Sequence, residues 1–150
     1  MVDALEESRS WQDRTQAIEQ VEAQLNRELS SSDRKVQFLQ HATAFLGFII
    51  GYITDMNFKV SLTAINMTSK ILVLNVAKVN KHYANLVRAL IEKLSDSKVV
   101  IRQAVLKCCS VLIRQNSPSQ FANHAIGYLG HTNWHVREGI LHLIANCLIV

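Results

Sequence analysis

The sequence predicts an all-α fold, a solenoid of about four stacked helical hairpins, and three observations carry that prediction. The first is repetition. With Val136 as reference, HTNWHVREGILHLIANCLI (131 to 149) aligns without gaps to DSKVVIRQAVLKCCSVLI around Ile101 and to DMNFKVSLTAINMTSKIL around Val60, at separations of 35 and 41 residues. A fainter copy lies 47 positions further upstream, around Asp13. The second is period: apolar columns follow the reference at offsets of 4 (Ala64, Val105, Ile140), 5 (Ile65, Leu106, Leu141) and 12 (Leu72, Ile113, Leu148), which share one face of a 3.6-residue helix. The third is punctuation. One proline, five glycines and no sustained two-residue alternation leave little material for β-hairpins.

The elements follow in order. Residues 1 to 9 can form a short helix, and Ser10 is a break and cap before Trp11. Gln12 to Leu29 carries Ala17, Ile18, Val21 and Leu25 on one stripe, and the polar SSSD at 30 to 33 ends it. A helix from about Arg34 to Thr54 is expected next, with Phe38, Phe45, Leu46, Ile49 and Ile53 in a wide apolar band. DMNF (55 to 58) is a turn and Lys59 to about Val76 the following helix. The third unit starts near Asn80, turns at DSK (96 to 98) and continues to Arg114. The fourth starts after NSPS (116 to 119), with Ser117 as cap and Pro118 in the first turn, and turns again at HTNW. Phe45, Leu86 and Phe121 each lie ten residues before Asp55, Asp96 and His131, so the helix before each turn repeats as well. The repeats are bounded at about 1–29, 34–76, 80–115 and 118–150 of a single domain. Paired helices repeating every ~35 to 47 residues are the pattern of HEAT or armadillo solenoids. The last helix is still apolar at Leu148, Ile149 and Val150, so further repeats or self-association through that helix is expected.

A formal charge of +4 favours an acidic partner without naming its class. Clustering of Lys35, Lys70, Lys78, Lys81, Arg88 and Lys107 on one face would be needed for nucleic acid, which is not the expected partner. Cys108, Cys109 and Cys147 all sit in apolar helical runs, which suits buried thiols of an intracellular protein better than a disulfide framework. The acidic VDALEE after Met1 is unlike a secretory leader. AFLGFIIGYI (44 to 53) is about half the ~20 residues a membrane span needs, so it reads as a buried helix and no membrane association is expected.

Candidate chemistry is sparse. His131, His135 and His142 have a suggestive spacing, but His131 precedes the turn and no second carboxylate completes a metal set. No glycine-rich phosphate loop, GxSxG elbow or defined carboxylate pair is visible, so catalysis, a cofactor and a small-molecule substrate are not expected. Trp11 reads either as a staple against the next hairpin or as an interface anchor. Phe58, Val99 and Trp134 share its column, and an apolar residue recurring there suggests packing. Arg14, Arg102 and Arg137 share another column and read as ladder residues joining neighbouring loops. Lys59 and Lys98 have no such duty, and could either be solvated or steer association.

The four turns together, SWQDR, DMNFKV, LSDSKVVIR and HTNWHVREGIL, resemble the successive loops of a TOG domain of the CLASP and crescerin type, and Asp96 with Arg102 resembles the paired ladder residues of HEAT repeats. The resemblance covers four of the six repeats of a complete TOG domain. It implies binding of αβ-tubulin or microtubules through the loop edge, in a cytoplasmic, cytoskeletal protein of the spindle or cilium. Carried over by position, it implies tubulin-contacting roles for Trp11, for Asn57, Phe58 and Lys59, for Ser97 and Lys98, and for Asn133, Trp134 and His135. His135 departs from the arginine common at that place. The alternative is a HEAT scaffold that binds a peptide, nucleic acid or a second copy of itself through another face.

Overall fold

Ser10 has extended backbone and its hydroxyl accepts the Asp13 N–H, which starts the first helix of the computed structural model where the sequence places a cap. The structure describes residues 10–74 and 79–149; the short helix expected over 1 to 9, the end of the helix expected to reach Val76, Lys78 and Val150 lie outside them. Every regular element among the described residues is helical. In chain order these are α1 (Trp11–Leu29), α2 (Ser32–Leu39), α3 (Ala42–Ile53) and α4 (Phe58–Val73). After a 3-10 turn (Val79–Lys81) come α5 (Tyr83–Lys93), α6 (Val99–Gln115) and α7 (Pro118–Ala125), then a second 3-10 turn (Ile126–Gly130) and α8 (Trp134–Ile149).

The helices form two layers. The second helices of the hairpins, α1, α4, α6 and α8, stack consecutively, and α3, α5 and α7 stack behind them. This order explains what becomes of the apolar columns. Leu25, Leu72 and Ile113 are buried, because each is covered by its neighbours, whereas the equivalent Leu148 on α8 is 85% exposed. Ile18 and Ile65 are likewise buried, Leu106 half-buried and Leu141 exposed. No described helix stacks on the outer side of α8. A solenoid hairpin hides its second face only against the next one.

The helix expected from Arg34 to Thr54 is two helices, α2 and α3, meeting at 77°. Gln40 and His41 turn their N–H groups back onto the carbonyls of Gln37 and Phe38, closing α2, and the His41 carbonyl then receives the Phe45 N–H to open α3. The bend sets Phe38 edge-on to Phe45, with ring centroids 5.4 Å apart, and buries Phe38. No single described helix is long and apolar enough to cross a membrane; the bent pair α2 and α3 passes that test together, but Ala42, Leu46, Ile49 and Ile53 are core residues.

Ser117 occupies the cap position of α7 and Pro118 its first turn, as expected, but the Ser117 hydroxyl pairs with that of Ser119 instead of a backbone N–H. Cys108 and Cys109 are fully buried and Cys147 half-buried. Burial pushes the Cys108 thiol up to about 12 and Cys109 up as well, so both are inert packing groups.

Candidate functional site

The turns that join the two layers are built on one local rule, visible when the repeats are aligned. The residue opening the turn accepts the N–H two residues on: Asp55 Oδ1 from Asn57 at 2.8 Å, Asp96 Oδ1 from Lys98 at 2.9 Å, and His131 Nδ1 from Asn133 at 3.0 Å. His131 therefore stands in for aspartate as an acceptor; among the described residues no group of three or more His, Cys, Asp or Glu side chains is placed to hold a metal.

The next column caps the following helix. Ser10 accepts from Asp13 N–H, Asn57 Oδ1 from Lys59 and Val60 N–H, and Asn133 Oδ1 from His135 N–H. Asn57 and Asn133, which the resemblance offers as contact residues, thus have a structural duty. Lys98 holds the same position in the third turn, with no side-chain cap.

One residue further on stands the first residue of each second helix. Trp11, Phe58, Val99 and Trp134 are 52%, 39%, 54% and 57% exposed. The packing expected for Phe58, Val99 and Trp134 is therefore not what the structure has. Side chains on a helix tilt toward its N-terminus, so one at the first position projects past the helix end into solvent. Trp134 lies against His135, half-buried beneath it, at 3.6 Å between ring centroids.

The arginine column also differs from expectation. Arg102 Nη1 donates to the carbonyls of Asp96 and Ser97, and Arg137 Nη1 to those of His131 and Thr132, so each clamps its own turn rather than a neighbour's. In the second turn the nearby Ser61, fully buried, donates to the Ile53 carbonyl. Arg14 alone of these arginines crosses between turns, meeting Asp55 with Nε–Oδ2 at 2.9 Å and Nη2–Oδ1 at 3.3 Å.

The residue that carries the ladder onward is Lys93, which sequence reasoning missed. Its Nζ donates to the Asp55 carbonyl at 3.1 Å and to Asp96 Oδ2 at 3.2 Å, joining the second turn to the third. A single lysine at the end of an apolar helix, LIEKL, was its only signal. The Lys98 ammonium also crosses to the second turn, lying over the Phe58 ring at 5.0 Å from its centroid. The third and fourth turns meet at a cleft lined by Leu94, Arg102, His135 and Gly139. Gly139 allows a close approach there: a Cβ would sit 2.9 Å from a Leu94 methyl, and that side chain would have to shift. All four turns thus form one row, with Lys59, Ser97 and Lys98 exposed along it. Met56, at the tip of the second turn, is 98% exposed and was also missed.

Taken together, the geometry is that of an α-solenoid with a row of turns that carries exposed apolar side chains and cations, with four helix N-termini opening onto it. The family model described as XMAP215/Dis1/CLASP, TOG domain, matches residues 3–149, and the chain belongs to that family. It is 27% identical to the CLIP-associated protein of Arabidopsis thaliana over 99% of this chain and 10% of that protein. Protein CLASP-1 of Caenorhabditis briggsae is 26% identical over 69% of the chain, and the human TOG array regulator of axonemal microtubules protein 1 is 23% identical over 89%, each match spanning 8% of the relative. A solved structure from work on crescerin, described as using a TOG domain array to regulate microtubules in the primary cilium, matches with a TM-score of 0.66 at 22% identity. That match covers 87% of this chain and 53% of the other. The chain spans about a tenth of the length of the curated relatives it matches.

The turn chemistry is open to test at Asp96 and Lys98. Partial burial works against ionisation of Asp96, but the Lys98 N–H and the Lys93 ammonium outweigh it and hold the carboxyl below its usual value. A depressed carboxylate contributes stability that is present above the unfolded-state value, about 3.9, and lost as pH falls through the folded one. Asp96→Asn is therefore less stable than wild type near neutral pH, and the gap in chemical denaturation narrows as pH drops from about 5 toward 2; a gap that stays constant over that range contradicts the pairing. Lys98→Asn restores an acceptor at the cap and removes a positive charge from a helix N-terminus, and raises unfolding free energy by about 0.5–1 kcal/mol net of the lost ring contact. A destabilised variant would mean that Lys98 is kept for the fold.

Proposed function

We propose that this chain is a tubulin- or microtubule-binding module of a microtubule-dynamics regulator and that the row of turns is its contact surface. The observation that carries the reading is the column of first-helix residues. Trp11, Phe58, Val99 and Trp134 stay in solvent at the same position of four successive repeats, although the same fold buries its other apolar columns wherever a neighbouring hairpin covers them. Exposed aromatic side chains aligned on a rigid edge supply large contact area with few rotatable bonds.

The electrostatics support an acidic partner. Arg14 and Lys93 are matched by Asp55 and Asp96, whereas Lys59 and Lys98 are exposed along the row and form no salt bridge among the described residues. The N-termini of α1, α4, α6 and α8 add partial positive charge along the same line. Of the nine residues offered by the resemblance, we assign direct contact to Trp11, Lys59, Ser97, Lys98, Trp134 and His135, and add Met56; Asn57 and Asn133 shape the turns that present them, and the Phe58 ring lies against Lys98. The names of the relatives, CLIP-associated protein and a regulator of axonemal microtubules, support the same partner. On this reading the chain is a single domain without catalytic activity that works on the cytoplasmic microtubule cytoskeleton, in spindle or cilium. The basic-face alternative has less support, since Lys70 is engaged with Glu22 and Asn26.

Gel filtration with unpolymerised tubulin and co-pelleting with microtubules test the reading. The wild type binds at least one form at low salt, and Trp11→Ala weakens that binding by about 2 kcal/mol or more, roughly thirtyfold, without loss of helicity. Binding weakens with salt. A folded wild type that binds neither form at low salt sinks the proposal.

A further inference from the structure

Lys98 stands where the other three turns have Ser10, Asn57 and Asn133, each accepting a backbone N–H of the helix that follows. An ammonium group can only donate, and a positive charge is unfavourable at a helix N-terminus. The third turn holds without its help: Asp96 Oδ1 takes the Lys98 N–H, and Arg102 clamps the Asp96 and Ser97 carbonyls. The side chain is thereby released from the turn's own chemistry. It reaches across to the neighbouring turn, where its ammonium lies 5.0 Å from the centroid of the Phe58 ring. An exposed lysine with four rotatable bonds otherwise samples many positions, so the negative face of a ring at this distance favours the one over Phe58.

Phe58 also differs from its column. Trp11, Val99 and Trp134 are more than half exposed, whereas Phe58 is 39% exposed, with Lys98 over one of its faces. We propose that Phe58 is a positioning residue: it biases the Lys98 ammonium toward one point between the second and third turns, so that the two side chains act as one cationic contact for an acidic group of the partner. Phe58 then acts through Lys98, unlike Trp11 and Trp134, which present their own surfaces. The inference rests on the tubulin reading for its partner, but the positioning itself belongs to the free chain.

The test has two arms. In NMR spectra of the free chain, the Lys98 ε-methylene protons are shifted upfield by the ring current relative to Phe58→Leu, and Phe58→Trp keeps a shift. In tubulin binding, Phe58→Leu and Lys98→Gln each weaken affinity, with a coupling of about fivefold between them in the double variant, and Phe58→Trp restores it. A Lys98 signal that does not respond to Phe58→Leu overturns the proposal whatever tubulin does. Additive losses, or a Phe58→Trp chain as weak as Phe58→Leu, overturn it too, because they make Phe58 an ordinary apolar contact. A wild type that fails to bind tubulin removes the functional reading above, while the NMR arm still decides whether Phe58 positions Lys98.

Discussion

Asp55 is the residue on which the geometry of the row depends. Its carboxylate takes Arg14 from the first turn and the Asn57 N–H of its own, and its carbonyl takes Lys93, which continues to Asp96 in the third. Three turns are tied through one residue whose side chain is only 11% exposed. These links are largely shielded from solvent, so much of their mutual attraction goes to offset the desolvation of the paired groups, and the buried apolar layer between the helices remains the main source of stability. Their effect is register. The core fixes that hairpins stack, and the Asp55 network fixes how their ends line up.

The turns obey the same rule at the opening acceptor and at the helix cap, and the exceptions are informative. His131 keeps the acceptor role with different chemistry. Lys98 abandons the cap role altogether, and its turn keeps only the Asp96 acceptor and the Arg102 clamp, where the fourth turn has acceptor, clamp and cap. A residue that breaks a local rule the other copies keep, and gains only a ring contact and a nearby carboxylate for it, points to a place where the surface matters more than stability. The exposed first-helix column makes the same point, because a solenoid that buries its apolar columns between hairpins has no structural use for two tryptophans in solvent.

Most of the architecture was legible in the chain because a helix pairs residues at a fixed period, and the copies around Val60, Ile101 and Val136 reinforced one another. The bend at Gln40 and His41 was not, since neither residue carries the proline or glycine signal that marks a break. Helical periodicity also shows which residues share a face without showing what covers that face. One column illustrates this: Ile65 is buried where α6 packs on α4, while Leu141, its equivalent on α8, is exposed for want of a following helix among the described residues. The same blindness made Phe58 and Trp134 read as packing residues, although their place at the helix start projects them outward. Arg102 and Arg137 were expected to bridge turns because their column matched Arg14; alignment reports the position of a guanidinium and not its reach. Lys93 lay outside the recognised columns, so the residue linking the second turn to the third had no pattern to reveal it.

On the proposed reading the working surface is the row of turns and not a helix face. Hydroxyl-radical footprinting of the chain with and without tubulin tests it directly, because side-chain oxidation reports solvent access residue by residue. Protection of Trp11, Met56 and Trp134 on binding, with Phe48 on α3 and Leu148 on α8 unchanged, is the predicted result. Protection confined to Phe48 or Leu148, with the three turn residues still fully reactive, would contradict the account.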